Sequence, residues 1–212
     1  MRIGGIQKLS LIDYPGHLST VVFTQGCNLR CPYCHNPELV LPQCFGVRVS
    51  EDEIFSFLAT RVGKLQAVVV TGGEPTLHAD LPEFLAAIKR MGFKTKLDTN
   101  GTRPEALQSL MAQNLTDFVA MDIKAPLAFY HELSGCRVDV AAIRQSIELI
   151  LSAPIQHQFR TTVEPKRLSK QDCEDIQNWM NSLGARHIFQ NASSEKTLES
   201  FMMLELDSDN KK

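Results

Sequence analysis

The 212-residue chain is poor in the features that would place it on a membrane or on nucleic acid. No stretch reaches the ~18 consecutive apolar residues of a membrane span, and the opening Met1-Arg2-Ile3-Gly4-Gly5-Ile6 lacks the long apolar run of a secretory signal. Basic residues are not in excess: 22 Lys and Arg stand against 24 Asp and Glu, for a formal net charge of −2. Neither a basic face for a phosphate backbone nor a basic amphipathic segment for lipid is present. The chain therefore reads as cytoplasmic, with no nucleic-acid and no membrane partner. Internal repeats and low-complexity linkers are also missing, and the 43% hydrophobic content suits one core. A single domain over residues 1–206 is expected, followed by a polar tail, 207–212, that has nothing to pack and is expected to be disordered.

Cysteine is scarce except in one place. Three of the six cysteines fall within Cys27-Asn28-Leu29-Arg30-Cys31-Pro32-Tyr33-Cys34, and Cys44, Cys136 and Cys173 are scattered. In a reducing compartment such a cluster points to metal ligation before disulfides. Thiolates suit zinc or iron–sulfur clusters. A structural zinc site wants four ligands, usually in two separated pairs; here a second pair is absent, although His35 or Cys44 could complete one. A four-iron cluster usually takes four cysteines, so three leave one iron open to a substrate.

Short β-branched runs alternate with amphipathic segments. Strands are predicted at 19–25, 67–71, 94–97, 117–123, 157–163 and 187–190. Between them, helices are predicted from the capping box Ser50-x-x-Glu53, over 79–91, over 103–113 behind Pro104, over 138–151, and from Ser169 to the stop at Gly184. Six strands alternating with helices imply an α/β fold with a parallel sheet and helical crossovers. The length falls short of the about 250 residues of an eight-unit barrel, leaving an open doubly wound sheet or an incomplete barrel.

Polar motifs sit where these strands end. Thr71-Gly72-Gly73-Glu74-Pro75 offers glycines for a close backbone approach and a carboxylate for the cleft. Asp98-Thr99-Asn100-Gly101-Thr102 follows the third strand. Asp122 and Lys124, two apart, share one face of the fourth and must pair with each other or serve a ligand. Arg160 closes the fifth strand, either ion-paired or beside a bound carboxylate or ribose. His187 on the sixth reads as structural.

With aromatic Tyr33 before the last cysteine, Cys27-x3-Cys31-x2-Cys34 resembles the signature loop of radical S-adenosylmethionine (SAM) enzymes. The resemblance covers about residues 6–165. It implies an incomplete (β/α)6-type TIM barrel and a [4Fe–4S] cluster on Cys27, Cys31 and Cys34. It also implies SAM as second cofactor, cleaved by one electron to a 5′-deoxyadenosyl radical. By position, Tyr33 would lie against the adenine, and Gly72, Gly73 and Glu74 would meet the amino group of SAM. Lys124 would meet its carboxylate, with Arg160 alongside. Asp-Thr-Asn-Gly, Asp-x-Lys, Cys34-His35-Asn36 and Asp13-Tyr14-Pro15-Gly16 narrow the likeness to activating enzymes of glycyl radical enzymes. There Asp98, Thr99 and Asp122 would bind a monovalent cation, and Asp13 would lie where the substrate peptide enters. The radical comes from the cofactor, so no catalytic side chain is assigned.

Residues 35–66 hold only Cys44, so the cysteine-rich insert of many such activases is missing. The compact chain most resembles activators of anaerobic ribonucleoside-triphosphate reductase, with the pyruvate formate-lyase activator as nearest competitor. A reduced flavodoxin or ferredoxin-type protein would be the electron donor. Two alternatives stand beside this reading. A zinc- or cluster-stabilised binding module explains the cysteines but leaves three strand-end motifs as coincidence. A radical SAM enzyme acting on a small molecule would usually carry more chain after the sixth strand.

Overall fold

A computed structural model describes residues 1–192 and 197–201; the expected tail at 207–212 lies outside these residues. The order of elements is β1 (Ile3–Ser10), β2 (Ser19–Thr24), α1 (Pro37–Val40), α2 (Glu51–Ala59), β3 (Ala67–Gly72), α3 (Leu81–Arg90) and β4 (Lys94–Thr99). There follow α4 (Pro104–Ala112), β5 (Phe118–Asp122), α5 (Tyr130–Ser134), α6 (Val140–Ser152), β6 (Gln156–Val163), α7 (Lys170–Ser182) and β7 (His187–Asn191). The strands form one seven-stranded sheet in sequence order, parallel from β2 to β7. Among the described residues β1 and β7 are not paired with each other, so the sheet is an open, incomplete barrel.

One element corrects the expectation of an all-parallel sheet. β1 runs antiparallel to β2, with Ile3 opposite Thr24 and Ser10 opposite Ser19. Its Ile-Gly-Gly-Ile-Gln-Lys-Leu-Ser sequence has no strict alternation, and its glycines weaken strand propensity, so pattern alone does not reveal it. β3 behaves as its sequence demands. Val68 and Val70 join Ile54, Phe84 and Leu85 under the helices. Ala67 and Val69 face the concave side, where Val21, Phe118, Ala120 and the buried Tyr14 close one end of the barrel. Both faces of a central parallel strand are covered, hence its unbroken apolar run.

Helices α2, α4 and α7 start where the sequence says, whereas the short α1 and α5 are not predicted from it. Ser50 and Glu53 form both bonds of the capping box on α2, and Ser169 with Asp172 does the same on α7. Pro104 occupies the first turn of α4. Val62, at helical spacing from Ile54, Phe55 and Leu58 in the sequence, is exposed because the helix ends at Ala59. With β2–β6 parallel, the cysteine loop, the Gly-Gly-Glu turn, Asp98–Thr102, Asp122–Lys124 and Arg160–Val163 all emerge at the same carboxyl end of the sheet.

Candidate functional site

At that end lies a cavity of about 220 Å³, lined by Cys27, Cys31, Tyr33, Cys34, Gly72, Gly73, Asp98, Thr99, Asp122, Lys124 and Thr162 among others. Loops from β2, β3, β4, β5 and β6 thus converge on one space.

Cross-chain ties, more than local structure, hold the cysteine loop. Glu74 N–H donates to Gly26 O (2.8 Å), and Arg30 N–H donates to Ser134 O (2.8 Å). The Arg30 guanidinium donates to the carbonyls of Cys27 (2.7 Å) and Leu29 (2.8 Å). Two contacts are tight enough to demand glycine. A Cβ on Gly73 would stand 2.0 Å from Gly26 O, and one on Gly135 (φ +66°) would stand 2.0 Å from Arg30 O. Cys136 packs beside the loop, its thiol 3.4 Å from Asn28 O, while Cys44 and Cys173 do not line the cavity.

The donor set fits an iron–sulfur cluster. Leu29 N–H and Asn100 Nδ2 both point to Cys27 Sγ, at 3.4 and 3.9 Å, as donors that favour a thiolate sulfur. Among the described residues no three His, Cys, Asp or Glu side chains converge for a single metal ion. The three thiols instead line a cavity, as ligands of a polynuclear group would. In the unloaded protein burial pushes all three thiols up, Cys27 to about 12, so loading must displace protons. The Tyr33 hydroxyl is buried and has no hydrogen-bond partner among the described residues.

The floor is a chain of charges. Lys96 pairs with Asp98, Asp98 Oδ2 meets Arg160 Nη1 at 3.1 Å, Arg160 Nε meets Asp122 Oδ1 at 2.9 Å, and Asp122 Oδ2 meets Lys124 Nζ at 3.1 Å. Three cations thus stand against two anions. Burial opposes ionisation of Asp122, yet the Arg160 and Lys124 charges hold its carboxyl down at about 2. Burial likewise works against the Lys124 ammonium, but Asp122 beside it keeps it well above its ordinary range. The floor therefore presents fixed positive charge to the cavity through Lys124.

These contacts decide the fate of several expected ligands. Gly72, Gly73, Tyr33 and Lys124 line the cavity; Glu74 and Arg160 do not. Glu74 is fully buried and turns away from the cleft. Its carboxylate accepts from Thr76 N–H and Oγ1, Thr99 Oγ1 and Asn100 N–H, tying the β3 and β4 loops together. Burial pushes that carboxyl up against these bonds. Arg160 lies behind Asp98 and Asp122, ion-paired rather than free.

The monovalent-cation set does not fit. Both oxygens of Asp98 and of Asp122 are already met by Lys or Arg nitrogens. Thr99 Oγ1 donates to Glu74 and accepts from Gly101 N–H. Arg160 occupies the position between the two carboxylates. Asp13 is not brought to the site either. It accepts from Ser10 Oγ in the β1–β2 turn, at the opposite end of the sheet from the cavity. His187 bonds Thr161 Oγ1 at 2.9 Å, the structural role its sequence position suggests. Sequence reasoning missed Lys96 and Asn28. Lys96 and Asp98 share a face by the same two-residue spacing as Asp122 and Lys124, so the signal was there. Asn28, bridging Asn100 and Thr102, carries no such signal.

Residues 21–180 match the Radical SAM superfamily, and the chain belongs to it: it is a radical SAM enzyme, whose cofactors are a [4Fe–4S] cluster and SAM. A putative glycyl-radical enzyme activating enzyme of Methanocaldococcus jannaschii is 40% identical over 179 residues, 82% of this chain and 73% of that protein. The pyruvate formate-lyase-activating enzyme of Clostridium pasteurianum is 37% identical over 133 residues, 58% of this chain and 52% of that one. Among solved structures, native anSMEcpe with bound AdoMet superposes with a TM-score of 0.64 at 18% identity, covering 81% of this chain and 50% of the other. Streptococcus suis SuiB bound to S-adenosylmethionine gives 0.64 at 15% identity, covering 89% and 47%. These two likenesses show the fold. The chain spans about half the length of the pyruvate formate-lyase-activating relative and of both solved chains. Among the described residues no helix is long and apolar enough to cross a membrane.

Proposed function

We propose that this chain activates a glycyl radical enzyme, and that its partner is an anaerobic ribonucleoside-triphosphate reductase, with a reduced flavodoxin or ferredoxin-type protein as electron donor. The observation that carries the reading is the convergence of Cys27, Cys31 and Cys34, the Gly72-Gly73 edge and Lys124 on one cavity. When bound, the cluster supplies the electron that cleaves SAM, yielding the radical that takes hydrogen from the partner's glycine. The chain's own part is placement. Cys27, Cys31 and Cys34 hold the cluster. The Gly72-Gly73 backbone, free of side chains, receives the amino end of SAM. Lys124, held charged by Asp122, meets its carboxylate, and Tyr33 packs against the adenine. Arg160 and Glu74 act one layer behind, as positioning residues.

The relative named as an activating enzyme supports the glycyl-radical reading. The missing cysteine-rich insert, with Cys44 alone in residues 35–66, favours the reductase as partner. The pyruvate formate-lyase-activating relatives support a second reading, activation of that enzyme instead. Among the described residues the sheet is open between β1 and β7, a side through which a glycine loop would reach the cavity.

The test is anaerobic reconstitution with iron and sulfide, reduction, and an assay for 5′-deoxyadenosine beside Cys31→Ala. Each candidate partner is then added and the glycyl radical read by EPR. Product from the parent alone and a radical on the reductase support the proposal. A radical only on pyruvate formate-lyase selects the second reading. A zinc-loaded parent that leaves SAM intact refutes both.

A further inference from the structure

The cysteine loop is tied down in two halves, and the second half is held by the segment 197–201. Gly26 and Arg30, in the first half, bond to Leu39, Glu74 and Ser134. Among the described residues, the backbone of Pro32, Tyr33 and Cys34 bonds beyond its own loop only to residues 198 and 199. Leu198 N–H donates to Cys34 O at 2.8 Å, and Glu199 N–H donates to Pro32 O at 3.0 Å.

These donors are not spare by accident. A helical turn starts at Leu198, capped by Thr197, whose Oγ1 accepts from Ser200 N–H at 3.2 Å. The first N–H groups of a helix have no partner within it, so they must find acceptors elsewhere. Here the acceptors are carbonyls of the cysteine loop. The contact is anchored twice more. The Leu198 side chain is only 1% exposed, and Glu199 Oε2 meets Arg167 Nη2 at 2.6 Å, joining the turn to the segment that follows β6.

We infer that residues 197–201 form a clamp that fixes the third cluster cysteine and Tyr33 in position, so that cluster retention depends on the C-terminal turn. The inference rests on the reading of Cys34 as a cluster ligand. The clamp acts through the loop backbone; Leu198 and Glu199 are positioning residues and do not line the cavity.

Leu198→Pro tests it directly. Proline removes the N–H that reaches Cys34 O, yet is accommodated at the first position of a helical turn. Leu198→Ala keeps the N–H and removes the buried side chain, and Arg167→Met leaves both N–H bonds and Leu198 in place while cutting the ion pairs of Arg167 to Glu199 and Glu164. Each variant and Cys34→Ala would be reconstituted without oxygen. Three quantities would be read: iron retained through gel filtration, the rate of iron loss to a chelator, and amide exchange of residues 31–36 in the unloaded protein. Loss of one buried hydrogen bond should speed iron loss by roughly five- to tenfold in Leu198→Pro. Exchange at 33–35 should rise, and Arg167→Met should show a smaller change in the same direction. Parent-like iron loss and exchange in Leu198→Pro and Leu198→Ala would overturn the clamp. If Leu198→Pro does not fold, parent-like iron loss and exchange in both Leu198→Ala and Arg167→Met would overturn it instead. Parent-like iron in Cys34→Ala would overturn the ligand reading, independently of the clamp.

Discussion

Replacing Arg160 by Met should expose what the guanidinium does between Asp98 and Asp122. The side chain is 16% exposed and holds one carboxylate through Nη1 at 3.1 Å and the other through Nε at 2.9 Å. Removing one partner of a buried pair costs about 3–5 kcal/mol when the other charge is left alone. Here each carboxylate keeps a lysine, Lys96 or Lys124, so the loss should be smaller, about 2–3 kcal/mol. For a chain of this size that corresponds to a fall in midpoint of roughly 4–12 °C. The variant also drops the floor from a net positive charge to none, so affinity for the SAM carboxylate should fall. The assay is thermal unfolding together with SAM binding by calorimetry, in potassium, sodium and tetramethylammonium salts at matched ionic strength. The parent should bind SAM equally in all three, because Arg160 already stands between the carboxylates. The variant should bind better with potassium or sodium, whose ions fit the gap left behind. A parent that loses SAM affinity in tetramethylammonium would refute this role for Arg160 and restore Asp98, Thr99 and Asp122 as cation ligands.

Other outcomes follow from the same geometry. Gly73→Ala forces a methyl group onto Gly26 O and should cost about 2–3 kcal/mol, with poor iron loading, measured by unfolding and iron content. Tyr33→Phe removes a buried hydroxyl that has no partner among the described residues and should leave the unloaded protein unchanged or about 1 kcal/mol more stable in a denaturant titration. Cluster loading should strengthen as pH rises from 6 to 9 in a chelator-competition assay. The thiols are pushed up by burial and must lose protons to bind. Asp122, with its carboxyl held at about 2, lends stability that is complete above the ordinary carboxylate value of 3.8 and drains as pH falls through 2. The contribution is about 2 kcal/mol, and Asp122→Asn should flatten that part of the acid-unfolding profile.

Much of this arrangement is legible in the sequence because strand ends in a parallel sheet are fixed by topology. Once Ala67–Thr71 and Asp117–Ile123 read as strands, Gly72-Gly73 and Lys124 had to emerge at one end with the cysteine loop. What could not be read is the direction of a side chain at a turn. Glu74 follows two glycines and reads as a cleft carboxylate. The backbone instead turns it into a cage of Thr76, Thr99 and Asn100 donors that no local pattern announces. Strand β1 escaped because Gly4 and Gly5 erase alternation, and its antiparallel pairing is set by the tertiary hairpin. The partners of Arg160 were open for a similar reason. Asp98 and Asp122 are 62 and 38 residues away, and only the β4–β5–β6 order brings them together.

The length of the charge chain has a physical reason. For a lone Lys124 in the cavity, burial would work against the ammonium. Asp122 offsets this but, taken alone, would cancel the charge that a carboxylate ligand needs. Arg160 restores it by engaging Asp122, and Asp98 then keeps Arg160 from being an uncompensated buried cation. Lys96, 3% exposed and stacked 5.7 Å from the Phe118 ring, closes the series on the barrel floor. Each member makes the next one tolerable, and the result is one surplus positive charge, displayed at Lys124 where the cavity opens. Truncating the series at its far end, as in Lys96→Met, should therefore weaken SAM binding without touching the cavity wall. Calorimetry would show the fall, which should be smaller than in Arg160→Met because Asp98 keeps its arginine. Equal or greater loss in Lys96→Met would mean that the charges do not act as a series.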